Sequence, residues 1–158
     1  MATFERELRV RAPLSEAWAF HSTEEGLLAL TPAWLNLRVE RIERPEGGGD
    51  SDVLTEGTRI HASVRPFGVG PRQAWVSYIT EREEREDTAY FVDVMEDGPF
   101  PEWEHTHALY ADGEQTLLRD RVKYRTPAGR LGDEAARFGL APMFWYRHRR
   151  TRDILDGP

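Results

Sequence analysis

The chain has 158 residues, 39% of them hydrophobic and 31% charged, so one domain can bury a core of its own without cross-links. It has no cysteine, which excludes disulfides, thiolate nucleophiles and cysteine-ligated zinc. Its formal net charge of −7 argues against a nucleic-acid or anionic-membrane partner, both of which require a basic surface. Taken in chain order, Phe4 to Arg11 alternates: Phe4, Leu8 and Val10 share one face with Arg6 as the exception, which predicts a half-buried strand. Ala12-Pro13 ends it, and Leu14, Trp18, Phe20 and His21 follow at helical spacing. A second short helix is expected over Thr23–Leu30, with Thr23 as its N-cap and Thr31-Pro32 as its stop.

Leu37 to Arg44 reads as a weakly patterned strand, followed by a flexible surface loop over Pro45–Asp52. Beyond Gly57, Ile60, Ala62 and Val64 form the apolar face of a strand, and Pro66–Pro71 is a turn. A long strand over Arg72–Arg82, a charged turn over Glu83–Asp87 and a strand over Tyr90–Met95 come next. The Gly98-Pro99-Phe100 turn leads into a strand on which Trp103, His105 and His107 share a face. Ala111-Asp112-Gly113 is a hairpin turn, and Leu117 to Arg125 alternates cleanly. After Thr126–Gly129 the period changes. A short helix is expected over Arg130–Arg137, Gly139 interrupts it, and Pro142 opens a new helix. Leu140, Met143, Phe144, Arg147, Thr151, Ile154 and Leu155 share one face of that helix; the Arg147-His148-Arg149-Arg150 run reads as its solvated side.

Strand, two short helices, six strands with hairpin-length connections and a long C-terminal helix make one α+β domain over residues 1–158. The economical arrangement is a curved, seven-stranded antiparallel sheet with the helix lying across it. Lys123 is the only lysine; GC-rich coding and a salt-adapted proteome both produce such a bias toward arginine in an acidic chain. The first residues are charged and no apolar run approaches the roughly 18 residues that span a bilayer, so a cytoplasmic location is expected.

The order of elements resembles the helix-grip proteins, the superfamily of START-like lipid-binding domains, plant pollen-allergen-type binders and aromatic polyketide cyclases. The residues that carry the likeness are Ala12-Pro13 with Trp18, Phe20 and His21, then Leu30-Thr31-Pro32. The Gly98-Pro99-Phe100 turn with Trp103, His105 and His107 is the most specific part. Asp120, Val122, Tyr124, Pro127 and Gly129, with Phe144, Tyr146 and Arg147, complete it. The resemblance, closest to small prokaryotic ligand-binding members, implies a hydrophobic cavity between sheet and C-terminal helix, and no cofactor.

Inside that frame the basic side of the last strand faces water, so Leu118, Asp120, Val122 and Tyr124 face in. Glu102 and Glu104 face out, which turns Trp103, His105, His107 and Leu109 inward. Alternation leaves both faces of Tyr90–Met95 open; the resemblance places Asp93 inward. The expected ligand-binding set is Asp93, Trp103, His105, His107, Asp120, Tyr124, Phe144 and Arg147. Trp103, Tyr124 and Phe144 would wall the pocket, and the polar members would orient a small hydrophobic or amphipathic molecule. The same cluster fits two other uses: pairing that fixes helix to sheet, and a cyclase-, dehydratase- or lyase-like reaction with His105 or His107 as general acid/base. A metal site ranks third: His-x-His is ligand spacing, but Glu114 is misplaced for a metal-binding barrel and no third histidine stands near Pro127. His21 and His61 carry no signal of their own. Gly47-Gly48-Gly49 opens no helix, so it is no phosphate loop.

Overall fold

In the computed structural model, which describes residues 1–47 and 52–157, the alternating segments form seven strands. They are β1 (Ala2–Val10), β2 (Arg38–Glu43), β3 (Arg59–Val64), β4 (Gln73–Glu84), β5 (Thr88–Glu96), β6 (Glu102–Asp112) and β7 (Gln115–Arg125). All neighbours are antiparallel, in the order β1-β7-β6-β5-β4-β3-β2. Helices α1 (Leu14–His21) and α2 (Glu24–Ala29) stand between β1 and β2, and α3 (Gly129–Leu155) closes the chain. This is the curved α+β helix-grip arrangement expected from the order of elements. The loop expected over Pro45–Asp52 has residues 48–51 outside the described residues. No helix among the described residues is long and apolar enough to cross a membrane.

Local chemistry accounts for the small helices. Pro13 takes the N-cap position of α1, and its carbonyl accepts from the amides of Glu16 and Ala17. Thr23 caps α2, its Oγ1 accepting from Gly26 N at 3.2 Å. On β4, a bulge between Ile79 and Glu81 breaks the alternation. Trp75, Ser77 and Ile79 face the interior before it and Arg82 after it, so an odd-numbered face becomes an even-numbered one. β4 also runs to Glu84, two residues into the charged turn expected from sequence.

The C-terminal region departs from the sequence reading. It is one helix of 27 residues, not two pieces, and Pro142 lies inside it. Proline removes one helical donor and frees the carbonyl four residues earlier, here that of Phe138. Pro142 and Phe138 both lie on the exposed side, where water can take the freed carbonyl. The opposite stripe keeps the helix whole: Leu140, Phe144, His148, Thr151 and Leu155 are buried at spacings of three and four. His148 therefore lies at the centre of the buried face rather than on a solvated one, while Ile154, expected in the core, is 38% exposed. Tyr124 Oη donates to the Asp133 carbonyl at 2.8 Å and Arg11 N to Asp156 Oδ1 at 2.6 Å, which ties both ends of α3 to the sheet side.

Two apolar clusters fill the space under α3. Leu8, Val10, Trp18, Leu109, Leu118 and Leu155 form one; Phe4, Val122, Tyr124, Leu140 and Phe144 form the other. Between them the chain places a polar layer. On β7 Asp120 separates Leu118 from Val122, on β6 His107 lies two residues from Leu109, and on α3 His148 lies between Phe144 and Thr151.

Candidate functional site

Strand register brings the polar layer together. His107 is directly opposite Asp120 across β6 and β7, and His105 is directly opposite Asp93 across β5 and β6. Asp120 is the hub: Oδ1 accepts from His105 Nε2 and His107 Nδ1, each at 2.6 Å, and Oδ2 accepts from His148 Nε2 at 2.6 Å. Asp93 accepts from His105 Nδ1 at 3.2 Å through Oδ2, and from Ser77 Oγ at 3.2 Å through Oδ1.

The partners dictate the protonation states. Both ring nitrogens of His105 face carboxylate oxygens, which only accept, so both carry protons and His105 is a cation. Burial alone would lower its pKa; the hydrogen bonds to Asp120 and Asp93 outweigh burial and raise it to about 9. Burial lowers the pKa of His107 despite Asp120. His107 is then neutral, with Nδ1–H on Asp120 and Nε2 buried without a partner among the described residues. His148 gives Nε2–H to Asp120, and its Nδ1 is buried without a partner among the described residues. Burial would raise the Asp120 carboxyl, yet the adjacent His107 and the three histidine hydrogen bonds hold it well below the ordinary carboxylate range.

A pocket of about 350 Å³ opens beside this hub. Its floor is Ile60 and Ala62 of β3, Trp75, Ser77 and Ile79 of β4, Phe91, Asp93 and Met95 of β5, and Trp103 and His105 of β6. Leu27 and Leu30 close one side; Leu140, Met143, Phe144 and Arg147 of α3 form the roof. The turn before β6 needs its glycine here: a Cβ on Gly98 would lie 2.4 Å from Met95 Sδ and 2.8 Å from Trp75 Cβ.

Of the residues expected at a ligand, Asp93, Trp103, His105, Phe144 and Arg147 line this pocket. His107, Asp120 and Tyr124 do not: the two polar groups stand behind the wall in the hub, and Tyr124 is a fully buried core residue bonded to α3. Two histidines outside the expected ligand-binding set join the group. His148 completes the hub, concealed in sequence by its arginine neighbours; its place four residues after Phe144 and three before Thr151 was the available signal. His21 lines the pocket, its ring stacked on His107 with centroids 4.5 Å apart. Burial, then His107, lowers its pKa well below the ordinary value. Its Nδ1–H donates to the Ala17 carbonyl at 3.0 Å, which leaves Nε2 as a lone pair with no hydrogen bond among the described residues.

His105, His107 and Asp120 also have ligand atoms close enough together for a metal ion. The donor set does not fit one: each imidazole nitrogen that faces Asp120 carries a proton, and His105, whose other nitrogen donates to Asp93, would have to give up the proton that it donates to Asp120.

A family profile described as polyketide cyclase/dehydrase and lipid transport matches residues 10–144. No curated protein matches the sequence. Among solved structures, a START superfamily protein from Mycobacterium smegmatis is 14% identical, with a TM-score of 0.61 over 96% of this chain and 98% of that one. The Zhui aromatase/cyclase from Streptomyces sp. R1128 is 15% identical, with a TM-score of 0.64 over 98% and 93%. Truncated norcoclaurine synthase from Thalictrum flavum is 16% identical, with a TM-score of 0.62 over 99% and 95%. At these identities the likeness is one of fold.

Proposed function

This chain belongs to the polyketide cyclase/dehydrase and lipid transport family, and on that premise we propose that it binds a small, largely apolar molecule in the pocket beneath α3. One observation carries the reading: the pocket wall is mostly apolar, with a few polar groups set into it, Asp93, His105, His21, Arg147 and Arg82 among them, which is how a site fixes the orientation of an otherwise greasy ligand. At 350 Å³, against roughly 30 Å³ for one water molecule in the liquid, the space holds on the order of a dozen water-sized groups. A bicyclic aromatic molecule fits that size; a two-chain lipid does not. Hub and pocket have separate duties in this account. The hub clamps α3 to the sheet, and the pocket meets the ligand.

The test uses 2-acetylnaphthalene, a neutral bicyclic ketone, in isothermal titration calorimetry. A dissociation constant in the micromolar to millimolar range is expected, on the order of 0.3 kcal/mol or more per heavy atom. Ala62→Phe, which fills the floor from a pocket-lining position, should abolish the heat signal while the circular dichroism spectrum is kept. Unchanged binding by that variant would place the ligand elsewhere.

A second reading, catalysis on a cyclic or polyketide-like substrate, is favoured by one feature. A general base must be neutral and open. His105 is neither, since both its nitrogens are engaged and protonated, and His107 does not line the pocket. His21 meets both conditions, so on this reading it is the base. Nitrogen NMR showing the His21 ring protonated at Nε2 at neutral pH would exclude it.

A further inference from the structure

We infer that the ligand of this pocket is an amphipathic anion whose carboxylate or comparable planar acid group is received by Arg147. The inference rests on the reading of the pocket as a binding site and specifies its occupant. Arg147 is on the roof of the pocket, one helical turn from Phe144, with its guanidinium carbon 5.9 Å from the Phe144 ring centre. Among the described residues no ion pair or hydrogen bond engages its five donors. The carboxylates that act on it electrostatically are Asp120 and Asp93. Both are already committed: Asp120 accepts from three histidines, and Asp93 accepts from Ser77 and His105. A guanidinium taken out of bulk water without a partner is costly, and its planar fork matches a carboxylate at two points.

A second guanidinium lines the pocket. Arg82, turned inward by the β4 bulge, has its guanidinium 4.3 Å from the Trp18 ring centre. It donates through Nη2 to Ser22 Oγ, and its Nη1 is buried without a partner among the described residues. Two guanidinium groups and the His105 cation line the pocket with the Asp93 carboxylate; Asp120 stands behind the wall on His105, and Glu84 acts on Arg82, so among these cations Arg147 is the one without a hydrogen-bonded partner among the described residues. Burial lowers the Arg147 pKa more than Asp120 and Asp93 raise it, in keeping with a cation short of partners until a ligand arrives.

The experiment compares 2-naphthoate with 2-acetylnaphthalene, which share a ring system and differ in the charge of the head group, by calorimetry at neutral pH. Wild-type protein should bind the carboxylate about 10-fold or more tightly than the ketone, the size expected for hydrogen bonds to a charged group. Arg147→Met should remove that preference, because it keeps the volume and loses the fork. Arg147→Lys, which keeps the charge, should retain part of it. Equal or weaker binding of the carboxylate by wild-type protein, or a preference that survives in Arg147→Met, overturns the inference and leaves the pocket a binding site. Failure of both compounds to bind wild-type protein overturns the inference together with the reading it rests on.

Discussion

Asp120→Asn is expected to destabilise the protein by about 3–5 kcal/mol, the range for removing one partner of a fully buried ionic group. For a chain of this length that corresponds to a fall in melting temperature of roughly 10 °C or more. The reason is the hub. One carboxylate with 1% exposure receives hydrogen bonds from β6 through His105 and His107 and from α3 through His148. An asparagine keeps the shape but offers only one acceptor oxygen, and its amide meets an N–H where it needs a lone pair. The neighbours cannot turn to water, because the hub lies between two apolar clusters. His148→Gln should cost less, since the Oδ1 side of the hub survives. Urea unfolding of the two variants decides the matter: a loss below about 1 kcal/mol for Asp120→Asn would show that the clamp is not what holds α3 to the sheet.

Alkaline pH is expected to take away a comparable amount through a single residue. His105 has a pKa of about 9 in the folded protein against an ordinary value of 6.5. A raised pKa on a basic group means that its contribution is fully present below pH 6.5 and is lost as pH rises through 9. At 1.36 kcal/mol per unit, the contribution is roughly 3 kcal/mol. The acid side has other owners. His21 and His107 are held neutral by burial, so protonation of the unfolded chain below pH 6.5 draws stability down. Asp120 adds to that fall only at pH values below the ordinary carboxylate range. Stability should therefore peak near neutrality. Urea unfolding between pH 6.5 and 9.5 should show the decline in wild-type protein and a nearly flat profile in His105→Gln. A flat wild-type profile would mean that His105 is not the cation its two carboxylate partners require.

The predictability of these features from sequence differs by element, for physical reasons. Alternation on β6 and β7 was readable because charged residues occupy the outer face: Glu102 and Glu104 against Trp103 and His105, Arg119 and Arg121 against Asp120. That is enough to place the hub's β6 and β7 members inside. It could not say which of them meet a ligand, because His105 and His107 share a strand face while only His105 reaches the pocket. That distinction depends on sheet curvature and on the helix above, which periodicity does not record. The β4 bulge is similarly silent in sequence, so Arg82 gave no sign of facing inward. On α3, composition misled twice. Pro142 reads as a helix start but is tolerated on the water side, and His148 was masked by Arg147, Arg149 and Arg150 although its spacing is that of the buried stripe.

On the proposed reading a ligand occupies the pocket with its polar end at His21 and Arg147, beside the ring of His105. The chain has only five histidines, which makes the ring nitrogens a direct reporter. Nitrogen-15 imidazole NMR of wild-type protein titrated with 2-naphthoate should shift the resonances of His21 and His105, which line the pocket. His61, paired with Glu43 and Arg41 on β2, should stay in place as the internal control. A titration that saturates while His21 and His105 remain unmoved would contradict the account.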